Sequence, residues 1–223
     1  MQIDNGKVEA RVNAEYYEED NTIRDQLHET LNDRFLAVEF LTHKPYELSM
    51  PGVHKRYPDG HKDLFVTVRD AVSVTDATPI DLTIIDEDGN IKADTRRERI
   101  EKKRIVTELI TKYRQKNPVV ASLINSYDAA VRDPDNELIH LYEIREALNE
   151  ELGGNKSACE ILGVSKKEWS DFGYLANNAP LKQGRHRGAN VGDLRDATNK
   201  ELREARAFCT KLILGYLEYL ESQ

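Results

Sequence analysis

The spacing of apolar residues changes near Thr95, and that change divides the chain. Before it, Leu64, Val66 and Val68 alternate with polar neighbours, as do Ile80, Leu82 and Ile84, and a period of two is that of a strand with one buried face. The second run leads into Asp86-Glu87-Asp88-Gly89-Asn90, which has the chemistry of a tight turn, with Ile91 and Ala93 placed to return as the neighbouring edge. Upstream, Ile23, Leu27, Leu31 and Phe35 recur every four residues, the spacing of a short amphipathic helix, after a candidate strand over 8–17. Residues 1–94 therefore predict a small α+β unit, an antiparallel sheet with a helix.

After Thr95 the period is helical throughout. Thr95 with Glu98 forms a capping-box pattern, and Ile105, Leu109, Ile110 and Tyr113 make one stripe before Asn117-Pro118 resets the chain. Val120, Leu123, Ile124, Tyr127 and Val131 line the next helix. Asp133-Pro134 starts another, carrying Leu138, Leu141, Tyr142, Leu148 and Leu152, and Gly153-Gly154 ends it. Ser165 with Glu168 caps a helix through Trp169 and Phe172. A Gly-rich basic loop follows from Pro180 to Gly192, and Thr198 with Glu201 opens a long final helix. Residues 95–223 predict an antiparallel helical bundle, so the fold class expected of the whole chain is α+β.

Composition narrows the functions available. Hydrophobic residues are 39% of 223, enough to bury a core, and the formal charge of -8 opposes broad adsorption to nucleic acid or anionic membrane. Any nucleic-acid contact must then be local. The chain start lacks the basic and apolar regions of a secretory signal, and no apolar run approaches the length of a membrane span, so the expected compartment is the cytoplasm, without membrane contact. Cys159 and Cys209 stand far apart in helical contexts, where a thiol behaves as a small hydrophobe.

The candidate chemistry joins two distant segments. In the helix from 133 to 152, Glu143, Arg145 and Glu146 flank the apolar stripe, and Glu146, four residues after Tyr142, is expected over its buried edge. A carboxylate there needs a cationic partner, which Arg185 or Arg187 of the later Gly184-Arg185-His186-Arg187-Gly188 run would supply. The two arginines disfavour protonation of His186 and leave it a proton acceptor, the chemistry of a general base. Gly184 and Gly188 would let the backbone approach a phosphate, which guanidinium groups grip in bidentate fashion. The bland reading of the same residues is a solvated Glu146 and a loop pinned to the bundle by Arg185.

Other motifs carry less. Ala158 to Ser165 has the outline of the first helix and turn of a helix-turn-helix, but Lys166-Lys167-Glu168-Trp169-Ser170-Asp171 brings two acids and an indole where short donors should face bases. Asp86, Asp88 and Asn90 imitate the opening of a calcium loop whose glycine comes too early. The six histidines show no pair at helical ligand spacing, and there is no Gly-Lys-Ser phosphate loop or dinucleotide fingerprint. No metal and no cofactor are expected.

Over 94–220 the runs SYDAAVRDPDNELIHLYEIREAL, LGVSKKEWSDFGYLANN and GRHRG resemble a family of bacterial cytosolic proteins, and this helical half is similar to HEPN-type bundles. The resemblance implies a homodimer that binds RNA or nucleotides and belongs to a stress, toxin or antiphage system. Active members of that group place an Arg and a His in one segment with four to six residues between them and an acid on an earlier helix, and cleave RNA without metal. Here Arg185 and His186 are adjacent, and Arg132 and His140 have seven residues between them. The expectation is accordingly a non-enzymatic binding or scaffolding protein that engages RNA, a nucleotide or a protein. The alternatives are a metal-independent endoribonuclease, using His186, Arg185 and Glu146, and a helix-turn-helix DNA-binding regulator.

Overall fold

The computed structural model describes residues 2–4, 7–20, 22–48, 53–56, 62–65, 83–85, 91–185 and 194–223. The chain divides into two compact units, one of residues 1–32 with 47–95 and one of residues 33–46 with 96–223.

Three antiparallel strand pairs among the described residues belong to the first unit: β1 (Gln2–Asp4) with β2 (Lys7–Glu9), β3 (Val53–Arg56) with β4 (Lys62–Phe65), and β5 (Thr83–Ile85) with β6 (Ile91–Asp94). Among the described residues no strand has more than one neighbour. The expected α+β class with an antiparallel sheet is therefore overturned: helix dominates the described chain, and strands of three or four residues paired two by two do not make a sheet. Alternation over so short a run selects a partner strand, but it supplies no third strand and no continuous face to bury. The strand expected over 8–17 is corrected as well. Its first residues lie in β2, and helix α1 (Ala14–Glu19) begins after Asn13, whose Oδ1 accepts from Glu15 N at 2.9 Å. The turn at 86–90 and the residues imitating a calcium loop lie outside the described residues.

Helix α2 (Ile23–Thr42) is longer than its fourfold stripe predicts, and its part from Asp33 onward belongs to the second unit. That unit continues with α3 (Thr95–Arg114), α4 (Pro118–Arg132), a short 3-10 turn (Pro134–Asn136), α5 (Glu137–Glu151), α6 (Asn155–Ile161), α7 (Lys166–Asn177) and α8 (Asn199–Glu221). The breaks fall where side chains satisfy the free ends of helices. Asn117 Oδ1 accepts from Val119 N and Val120 N ahead of Pro118, and Ser165 and Thr198 form reciprocal capping boxes with Glu168 and Glu201. Gly153 and Gly154 turn the chain out of α5 at φ +76° and +104°, angles that a Cβ disfavours.

Helix α5 is the axis of the bundle, packed by α4, α7 and α8. Leu138, Leu141, Ile144 and Leu148 are wholly buried on it, against Leu123 and Ile124 of α4 and Cys209, Leu212 and Ile213 of α8. Both cysteines are free and buried, and burial raises the pKa of each thiol. They serve as apolar packing. No helix among the described residues is long and apolar enough to cross a membrane.

Candidate functional site

Tyr142 of α5 gathers the candidate residues that the structure describes. Arg185, arriving from beyond α7, donates from Nη1 to Glu146 Oε1 at 2.6 Å and lays its guanidinium 5.1 Å from the centre of the Tyr142 ring. Arg145, three residues along α5, donates from Nη1 to the Tyr142 hydroxyl at 3.1 Å, with its Cζ 5.3 Å from the same ring and 4.8 Å from that of Trp169. Two guanidinium groups thus share one phenol. The hydrogen bond to Glu146 raises the pKa of Arg185 further, against the opposing cost of burial.

Arg185 is set by its backbone. Its N–H donates to Ala176 O at 2.9 Å, at the end of α7, while Gly184 N donates to Leu181 O at 3.1 Å. A Cβ on Gly184 would stand 3.2 Å from Leu181 O and 3.4 Å from Ala176 O, tighter than most such contacts. Glycine at 184 therefore allows the chain to press against its own carbonyls, where the sequence suggested approach to a phosphate. Beyond, Lys182 N donates to Arg195 O and Arg195 N to Pro180 O, both at 3.0 Å, which ties the two ends of the loop together.

The remaining candidates separate. Glu143 turns toward α4, where Ser126 Oγ donates to it at 3.1 Å, although its charge still acts on Arg185. Glu146 is exposed, its side chain keeping 47% of its accessible surface. Tyr142 itself is only half-buried, so a residue one turn on faces water and not the core. His186, Arg187 and Gly188 lie outside the described residues.

Sequence reasoning passed over a second polar group, inside the bundle. Glu137, 1% exposed, accepts from Arg206 Nε at 2.5 Å and Nη2 at 2.7 Å, and His43 Nε2 lies 3.5 Å from it. Burial, aided by the Arg206 charge, lowers the pKa of His43 and favours the neutral ring. Buried acids on α2 are matched in the same way: Asp33 by Arg114 at 2.5 Å, and Glu39 by Arg132 at 3.1 Å. One signal was available. Glu137 stands four and seven residues before Leu141 and Ile144, on the buried stripe, where an acid predicts an internal cation.

The helix-turn-helix outline is present as α6, a turn through Gly163 at φ +63°, and α7. Its second helix opens on Glu168, held by Ser165 and by Lys211 at 3.0 Å, and on the Lys167–Asp171 pair at 2.5 Å. Trp169 is buried, its Nε1 donating to Asn155 Oδ1 at 2.7 Å. No family model, curated protein or solved structure matches the chain significantly.

Proposed function

We propose that the protein is a non-enzymatic binding or scaffolding module, of a bacterial stress or antiphage type, that engages an RNA, nucleotide or protein partner through the face formed by α5 and the segment after α7. The observation that carries this reading is the Arg185–Glu146 pair, which lays the later segment on α5 and places two arginines around Tyr142. That arrangement sets two planar guanidinium groups, one of them paired with Glu146, around one phenol on a chain whose net charge is -8. It suits an anionic partner of limited extent better than a long polyanion.

The test uses the full chain with a labelled single-stranded RNA and with adenosine monophosphate, read by fluorescence anisotropy and calorimetry. Arg185→Ala is expected to weaken binding of at least one of them about tenfold, roughly 1.4 kcal/mol, with unchanged helical content by circular dichroism. Equal binding by a variant of wild-type stability rejects the face. In the same samples RNA is expected to stay intact in the presence of a chelator. Cleavage that disappears in His186→Ala would replace the proposal with the metal-independent ribonuclease.

A further inference from the structure

We infer that Arg145 is the anion-receiving group of this face and that the group it takes is a terminal phosphate monoester; the inference rests on the proposed binding role of the same face. The starting point is a cation that meets no carboxylate among the described residues. Arg114, Arg185 and Arg206 each meet a carboxylate. Arg145, only partly exposed, has a single hydrogen bond among the described residues, to the Tyr142 hydroxyl, and its Nε is shut off from water with no acceptor. Removing a guanidinium from water without a counter-ion is costly, and the rings of Trp169 and Tyr142 offset only part of that cost.

The packing also makes room for this group. A Cβ at position 173 of α7 would lie 3.3 Å from Arg145 Cζ and 3.4 Å from Nη2. Glycine there lets the guanidinium lie flat on the α7 backbone, with the indole of Trp169 at 4.8 Å. The fork is therefore held by a ring and a backbone with no counter-ion among the described residues, which is preorganisation for an oxyanion that accepts through two oxygens.

The donors select the acceptor. Tyr142 accepts from Arg145 and so retains its own hydroxyl proton to donate, while Arg185 on the same ring is already paired with Glu146. One open guanidinium beside a phenol donor suits a compact anion with several acceptors, and a terminal phosphate monoester presents three strong acceptor oxygens and about -1.5 to -2 charges at neutral pH. A phosphodiester within a strand leaves fewer oxygens free and brings charged neighbours that Glu143 and the chain's net charge repel. The monoester can come from a free nucleotide or from the 5′ end of an RNA.

Calorimetry on the full chain with four ligands separates these sources: adenosine, adenosine monophosphate, and a short RNA bearing either a 5′-phosphate or a 5′-hydroxyl. The phosphorylated member of at least one pair is expected to bind at least tenfold more tightly than its partner. That preference should fall to less than threefold in Arg145→Ala and in Gly173→Ala, which keeps the charge but crowds it. Arg145→Lys, keeping the charge without the fork, tests the site should the alanine variant unfold, and is expected to lose most of the preference. Equal binding within both pairs overturns the inference, as does an unchanged preference in the folded Arg145 and Gly173 variants. If Arg185→Ala weakens binding while Arg145→Ala does not, the face stands and the phosphate assignment falls. If neither matters, both fall.

Discussion

Glu39 shows how a single residue records its surroundings. It is 1% exposed on α2, its Oε1 has no hydrogen-bond partner, and it faces both Arg132 and the carboxylate of Asp128. Desolvation, then Asp128, pushes its pKa up to about 7, against the pull of Arg132. A carboxylate raised in the folded state binds more protons there than in the unfolded chain, so its contribution to stability falls as pH rises from about 4.5 to about 7. Glu39→Gln removes that titration. The stability difference between variant and wild type, from urea unfolding at several pH values, should grow in favour of the glutamine across this window and level off above it. A difference independent of pH would mean that Glu39 ionises as an ordinary exposed acid. None of this was legible in the sequence, because the stripe Ile23-Leu27-Leu31-Phe35 announces a helix without saying that its far end is covered. Arg145 was legible as polar and near the site, but not as lacking a carboxylate among the described residues: it stands four residues after Leu141 and three before Leu148, a core-edge position whose partners only coordinates can show.

Helix ends were the most legible elements, since a cap is a local bargain between a side chain and the next three amides. Asn117, Ser165 and Thr198 each do what their spacing predicts. Ser165→Ala should lower the unfolding free energy by about 1 kcal/mol, measured by denaturant titration, and an unchanged midpoint would show that Lys211 and Glu168 hold the start of α7 without the hydroxyl. The strands were the least legible. Alternation at Leu64 and Ile84 marks segments that do pair, yet among the described residues they join no larger antiparallel sheet, because forming a sheet depends on long-range partners that a period of two does not encode.

At the scale of the molecule, the helical unit is organised around α5, whose inner face has no access to water. Its amides around Leu141 and Ile144 should exchange with solvent only through global unfolding, so their protection by hydrogen exchange should equal the unfolding free energy found with denaturant. Faster exchange there than in α4 and α8 would show that the axis opens on its own. The unit is also discontinuous in sequence, with residues 33–46 inside it and 47–95 in the other unit. Asp33 meets an arginine 81 positions later and Glu39 one 93 positions later. During vectorial synthesis the far half of α2 therefore leaves the ribosome with two acids and with Leu36, Ala37 and Phe40 uncovered, and must wait for α3 and α4 to be made before it can dock. That interval is the stretch of biogenesis in which a chaperone has the most to bind, and an expression fragment cut at Thr95 would carry the same gap permanently.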